Sequence, residues 1–175
     1  IKVAAKRLAF GKFLNAGQTC VAPDYLFVHE SVQDELVAEL EKNVRAFFGE
    51  DPLACPDYVK IINDKHYQRI QGLIAGEHAV FGGQARDGRI APTLLDGITG
   101  DSPIMQEEIF GPVLPMMTFH DLDEALALAN DCDYGLTSSI YTTNVSTAME
   151  AVNRLKFGET YVNRENFEAM QGFHA

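Results

Sequence analysis

The stretch of sequence that decides the fold is Val113-Leu114-Pro115-Met116-Met117-Thr118-Phe119. The run is apolar except for one threonine, and it does not alternate between apolar and polar residues. A strand of this kind is buried on both faces, which is typical of parallel sheets covered by helices. The stretch therefore predicts a central strand of an α/β domain.

Helical and extended patterns alternate on either side of this strand. Ser31 is expected to cap a helix, because Asp34 follows at capping-box spacing and a long apolar stripe comes next. Asp121 and Glu124 form a similar capping pair before another helix. Further helices are predicted at 2–14, 63–73 and 145–155, and further strands at 25–29, 80–81, 90–95, 138–141 and 160–163. This alternation predicts the α/β class, with an open, mostly parallel sheet and helices on both faces, in one domain spanning 1–175.

Composition excludes several classes of protein. The 175 residues carry a net charge of -11 without any Lys/Arg cluster, so we expect no nucleic-acid partner. The apolar runs are a few residues long, far short of the roughly 20 that span a membrane, so we expect no membrane partner. Cys20, Cys55 and Cys132 are widely separated and form no C-x-x-C pair, which predicts free thiols in a reducing, cytoplasmic compartment and no metal site.

One run of residues suggests chemistry: Gly11-Lys12-Phe13-Leu14-Asn15-Ala16-Gly17-Gln18-Thr19-Cys20-Val21-Ala22-Pro23. It places a cysteine at a glycine-containing turn between a helix and a strand. A turn of this kind can present a thiol, together with its own backbone N–H, to a cavity. The alternative is a small buried hydrophobic residue, which is the state of most free cysteines. The residues alone leave both interpretations open.

The pattern Phe13-x-Asn15-x-Gly17-Gln18-x-Cys20-x-Ala22 resembles the active-site signature of aldehyde dehydrogenases. A second segment of that family is matched by Glu107-Glu108-Ile109-Phe110-Gly111-Pro112. Shorter matches, in the family's order, occur at 90–94, 134–137 and 161–163, so the resemblance covers essentially the whole chain. Residues up to about Phe119 look most like the class 3, fatty-, aromatic- or coniferyl-aldehyde branch. Residues 163–174 look like lactaldehyde and glycolaldehyde dehydrogenases, a combination that a natural intermediate lineage or a chimera would explain.

The resemblance implies oxidation of a small aldehyde to a carboxylic acid through a Cys20 thiohemiacetal and thioester. It implies NAD or NADP as the cofactor, with Glu108 binding the nicotinamide ribose hydroxyls and Phe110 packing near the nicotinamide. The residues alone favour the alternative that Glu108 is a solvated surface carboxylate. The substrate-binding residues implied by the resemblance are Asn163, Phe167, Glu168 and His174.

Some parts that the family carries are not found among these residues. The resemblance implies a preceding cofactor-binding domain, with a general-base glutamate in a Glu-Leu-Gly-Gly segment and an oxyanion-hole asparagine, and a following oligomerisation tail. Because the first residue is Ile1 rather than Met, we expect the chain to belong to a longer protein. The resemblance implies that this protein is a homo-oligomeric enzyme and that the chain alone, without the cofactor domain and the general base, is nearly inactive. The alternatives are a cofactor-independent Cys20 thiol esterase and a non-catalytic or chimeric scaffold.

Overall fold

The computed structural model describes residues 1–164. Within them, the helices and strands follow in the order α1 (Lys2–Phe13), β1 (Leu26–His29), α2 (Gln33–Phe48), α3 (Asp64–Ile74), β2 (His78–Phe81), β3 (Ala85–Arg86), β4 (Arg89–Ile90), β5 (Thr93–Asp96), β6 (Val113–Phe119), α4 (Leu122–Asn130), β7 (Thr137–Ile140), α5 (Val145–Arg154) and β8 (Glu159–Val162). None of the helices in this part of the chain has the length and apolar character needed to cross a membrane.

A four-stranded sheet in the order β1-β6-β5-β2 forms the centre of the fold. Strand β6 pairs in parallel with β5 through residues 113–115 and in parallel with β1 through residues 116–119. Strand β2 adds an antiparallel edge, β3 and β4 form a small hairpin, and β7 and β8 form a separate parallel pair. The prediction of an open, mostly parallel sheet is confirmed.

Helices cover both faces of the four-stranded sheet. Successive side chains of a strand point to opposite faces, so Val113 and Leu114 belong to different hydrophobic clusters. Val113 packs in a cluster with residues of α3, and Leu114 packs in a cluster with residues of α1 and α2. The residues of β6 from Val113 to Met117 are buried, as the uninterrupted apolar run predicts.

Two local predictions differ from the structure. Ser31 does not cap α2: it lies in a short 3₁₀ turn, its hydroxyl pairs with Nδ1 of His29 at 2.8 Å, and the helix begins at Gln33. The strand predicted at 90–95 is divided into β4 and β5, because Pro92 has no N–H to continue a ladder. The capping pair before α4 is confirmed, since the Asp121 carboxylate accepts from the N–H of Glu124 at 2.9 Å.

Candidate active site

Cys20 lies in the turn that connects α1 to the edge strand β1. After α1 ends at Phe13, the chain reverses through Asn15, Ala16 and Gly17, whose φ angles are 52°, 53° and 71°. Left-handed backbone costs a residue with a side chain about 1–2 kcal/mol, so two non-glycine residues here require support from their surroundings. A second turn follows, closed by the N–H of Ala22 donating to the carbonyl of Thr19, and Cys20 within it is exposed.

The side chain of Gln18 supplies part of that support. Its Nε2 donates to the carbonyl oxygens of Asn15 at 3.1 Å and Lys60 at 3.2 Å, and its Oε1 accepts from the N–H of Ile62 at 2.9 Å. Asn15 in turn donates from Nδ2 to the carbonyl of Gln18 at 3.0 Å. Asn15 and Gln18 therefore hold the turn and anchor it to the loop before α3.

Gly17 brings the cysteine turn into contact with the segment 107–112. A Cβ placed on Gly17 would lie 2.1 Å from the carbonyl oxygen of Gly111, far inside van der Waals contact. A Cβ on Gly111 would in turn lie 2.6 Å from Cδ1 of Ile70 on α3. The two motifs that the sequence analysis singled out, separated by about ninety residues, are thus packed backbone against backbone.

The segment Glu108–Phe110 presents two side chains to solvent beside this contact. Glu108 is exposed, and the Phe110 ring is 41% exposed with a φ of 48°. Between them Ile109 is buried in the core that α3 covers. A buried anchor between two exposed side chains gives this loop a fixed position.

A buried lysine, Lys12, and a half-buried aspartate, Asp24, lie near this segment. Lys12 is 1% exposed, and burial lowers its pKa to about 8, although the nearby charges of Asp24 and Glu108 act in the opposite direction. Burial raises the pKa of the Asp24 carboxyl, while Lys12 and the N–H of Ile109 act to lower it. Sequence reasoning missed both residues. The available signal was the spacing of Ala5, Leu8, Ala9 and Lys12, which puts the lysine on the apolar face of α1.

Asn163 follows β8 and has a φ of 56°. Its side-chain oxygen accepts from the N–H of Thr142 and its side-chain nitrogen donates to the carbonyl of Thr142, both at 3.0 Å. The carbonyl of Asn163 accepts from the guanidinium of Arg7 on α1. Asn163 therefore ties the β7–β8 pair to α1. The other expected substrate residues, Phe167, Glu168 and His174, lie outside the described residues.

No group of three or more His, Cys, Asp and Glu side chains within residues 1–164 is arranged to hold a metal ion. The exposed groups of the two motifs include the Cys20 thiol, the Glu108 carboxylate and the Phe110 ring.

Comparison with known proteins assigns the family. The model of the aldehyde dehydrogenase family matches residues 1–174. A solved structure described as the substrate-bound state of Staphylococcus aureus AldH superimposes with a TM-score of 0.93 and 44% sequence identity, covering 96% of this chain and 38% of that one. The chain belongs to the aldehyde dehydrogenase family.

Relatives of both expected branches are found. The 4,4'-diaponeurosporen-aldehyde dehydrogenase of Staphylococcus aureus is 47% identical over 93% of this chain and 36% of its own length. The lactaldehyde dehydrogenase of Escherichia coli is 42% identical over 100% of this chain and 39% of its own length. A Bos taurus aldehyde dehydrogenase named dimeric and NADP-preferring is 39% identical over 93% of this chain. The chain thus spans less than two fifths of the first two relatives.

Proposed function

We propose that these residues form the thiol-bearing catalytic domain of an NAD(P)-dependent aldehyde dehydrogenase, with Cys20 as the nucleophile. The observation that carries the proposal is the packing of Gly17 against Gly111. It joins the exposed turn of Cys20 to the fixed segment that carries Glu108 and Phe110. The backbone segments that carry the thiol, the carboxylate and the aromatic ring are thereby in contact, although they come from distant parts of the sequence.

The reaction divides into two stages, as covalent catalysis allows. The Cys20 sulfur attacks the carbonyl carbon of the aldehyde, and the carbonyl oxygen becomes the oxyanion of a thiohemiacetal. The backbone N–H of Cys20 helps to stabilise that oxyanion. When bound, NAD or NADP would accept the hydride that leaves the thiohemiacetal carbon, and the acyl group would then remain on Cys20 as a thioester. Water then attacks the thioester, releases the carboxylic acid and restores the thiol.

Glu108 and Phe110 are the residues that we propose for the cofactor. A ribose offers two neighbouring hydroxyls, and an ionised carboxylate can accept a hydrogen bond from each. The aromatic ring of Phe110 offers a flat apolar surface to a nicotinamide. Both side chains are exposed on a segment whose centre is buried, and this combination fits a ligand held at the surface beside Cys20.

The substrate is proposed to be a small aldehyde. Asn163, Phe167, Glu168 and His174 are the proposed pocket residues. In the described structure the side-chain amide of Asn163 is engaged with Thr142, so we assign Asn163 to holding the end of β8 at the pocket. The whole protein is proposed to be a cytoplasmic homo-oligomer.

The experiment compares Cys20→Ser with Cys55→Ser and Cys132→Ser in the whole protein. NADH or NADPH formation is followed by absorbance with lactaldehyde and with an aromatic aldehyde. We expect Cys20→Ser to lose at least about 1,000-fold in turnover, because a covalent nucleophile is removed, and the two controls to stay within about threefold. Ester hydrolysis that requires Cys20 without any cofactor-dependent oxidation would instead identify a thiol esterase. Absence of both activities would point to a non-catalytic scaffold.

A further inference from the structure

Two side chains from different parts of the fold form hydrogen bonds with the backbone of the segment that carries Glu108 and Phe110. Asp24, which precedes β1, accepts from the N–H of Ile109 at 3.0 Å. Arg69 of α3 donates from Nη1 to the carbonyl of Glu108 at 3.2 Å and from Nη2 to the carbonyl of Ile109 at 2.5 Å. The same guanidinium also donates to the Glu107 carboxylate at 3.2 Å. Three consecutive polar groups of the backbone are therefore bonded by side chains.

This segment depends on such bonds because it has no regular secondary structure of its own. Residues 108–110 belong to neither a helix nor a strand, so their N–H and C=O groups have no ladder to join. Phe110 also adopts a positive φ, which costs a residue with a side chain about 1–2 kcal/mol. A backbone in this state persists only when its neighbours over-determine it.

The two bonding side chains are themselves held in place. Arg69 is 21% exposed at its side chain, and its Nε donates to Nδ1 of His66 one turn earlier on α3. Burial raises the pKa of the Asp24 carboxyl, while the positive charge of Lys12 and the N–H of Ile109 act in the opposite direction. Arg69 on α3 and Asp24 before β1 thus both hold the backbone of this segment.

We propose that Arg69 and Asp24 are positioning residues, which fix the Glu108 carboxylate and the Phe110 ring for the nicotinamide-ribose end of the cofactor. The proposal rests on the proposed function, since it assumes that Glu108 and Phe110 contact the cofactor. Neither Arg69 nor Asp24 is expected to touch the cofactor itself.

The first measurement is hydrogen–deuterium exchange of the cofactor-free whole protein, read on peptides that cover residues 107–112. We expect Arg69→Met and Asp24→Ala to speed exchange in this segment at least about fivefold, as a released backbone group exchanges through local opening. Asp24→Asn keeps an accepting oxygen and is expected to retain most of the protection. Arg86→Met, which removes an exposed arginine paired with Asp51, is the matched control and should leave this segment unchanged. Unchanged exchange in Arg69→Met and Asp24→Ala would overturn the proposal.

The second measurement is the affinity for NAD or NADP, determined by calorimetry. We expect Arg69→Met to weaken binding about tenfold, the equivalent of about 1.4 kcal/mol. In a Glu108→Gln background, Arg69→Met should weaken cofactor binding less than about threefold, because the effects of substituting two residues that act through one another do not add. Arg69→Lys keeps the positive charge but loses the paired N–H donors of the guanidinium, so its cofactor affinity should lie between those of the wild type and Arg69→Met. It replaces Arg69→Met in the measurement if that variant fails to fold.

The outcomes separate this proposal from the one on which it rests. If Glu108→Gln weakens binding and Arg69→Met does not, the positioning role is wrong while the cofactor role of Glu108 stands. If Glu108→Gln leaves the affinity unchanged, both proposals fail. An equal loss from Arg69→Met in both backgrounds would show that Arg69 does not act through Glu108.

Discussion

Gly17 packs so closely against the backbone of Gly111 that Gly17 cannot carry a side chain without displacing that backbone. A Cβ on Gly17 would approach the Gly111 carbonyl oxygen to 2.1 Å, and the φ of Gly17 is 71°. The contact sets the cysteine turn directly against the loop of Glu108 and Phe110. The relative position of the thiol and of the proposed cofactor residues therefore depends on one glycine pair.

Substituting Gly17 with alanine should destabilise the protein and displace the Gly111 segment. The cost combines a left-handed backbone, about 1–2 kcal/mol, with overpacking against a neighbouring backbone, about 1–3 kcal/mol. Gly97 has a similar φ of 68° and nothing within 4 Å of its Cβ position, so Gly97→Ala isolates the backbone component. In urea unfolding, Gly17→Ala should lower the free energy of unfolding by at least about 1 kcal/mol more than Gly97→Ala does. Equal losses for the two variants would contradict the close contact.

The buried Lys12 should make stability depend on pH in the alkaline range. Burial lowers the pKa of Lys12 from 10.5 to about 8, so between these values the unfolded chain binds more protons at this residue than the folded chain. The free energy of unfolding should therefore rise with pH across this window, and this contribution should be lost as the pH falls through about 8. One pKa unit corresponds to about 1.4 kcal/mol, which sets the full effect at up to about 3 kcal/mol.

The measurement is urea unfolding of the wild type and of Lys12→Met at intervals from pH 7 to pH 10.5. The difference between the two free energies should shift in favour of the wild type as the pH rises. Lys42→Met removes a lysine whose side chain is 71% exposed, and its profile should run parallel to that of the wild type. A difference that stays constant or changes in the other direction would show that Lys12 is not held in a desolvated site.

Cys20 should be the most readily alkylated thiol of the three. Cys20 is exposed at a turn, Cys55 is half-buried, and Cys132 is exposed but its Sγ lies 3.5 Å from the carbonyl of Ala129. Competitive labelling with iodoacetamide, read by peptide mass spectrometry, ranks their rates in one sample. Exposure explains why Cys20 should be alkylated faster than Cys55. The expectation that Cys20 also reacts faster than Cys132 rests on its proposed role as the nucleophile. Faster modification of Cys132 in the folded protein would count against that role.

The sequence predicted the elements better than the connections between them. The apolar run of β6 and the stripe of α2 follow from periodicity, since burial imposes a pattern along a single element. Arg69 and Asp24 could not be found in this way, because their partners are backbone groups 40 and 85 residues away. Gly17 was visible as part of a motif, but its contact with Gly111 depends on how two loops meet. Lys12 shows that a charged residue on the apolar face of a helix can be fully buried.

The 175-residue chain on its own should bind NAD weakly and oxidise aldehydes hardly at all. Its proposed contacts, Glu108 and Phe110, meet only the nicotinamide-ribose end, and the sequence contains no G-x-G-x-x-G segment for a pyrophosphate. Losing most of a binding surface costs several kcal/mol, hence about 1,000-fold or more in affinity. The family resemblance implies a general base outside these residues, so turnover by the 175-residue chain should fall by about a further 100- to 10,000-fold. Calorimetry with NAD and an NADH assay check both points, and micromolar binding would place a complete cofactor site within these residues.

The most direct test of the central claim is to find the acyl group on the sulfur of Cys20. The whole protein is mixed with aldehyde and NAD, quenched in acid within one turnover, digested and mapped by mass spectrometry. We predict an acyl adduct, two hydrogens lighter than the added aldehyde, on the peptide that contains Cys20, dependent on the cofactor and lost in Cys20→Ser. Undiminished aldehyde oxidation by Cys20→Ser, or an adduct found only on Cys55 or Cys132, would contradict the assignment of Cys20 as the nucleophile.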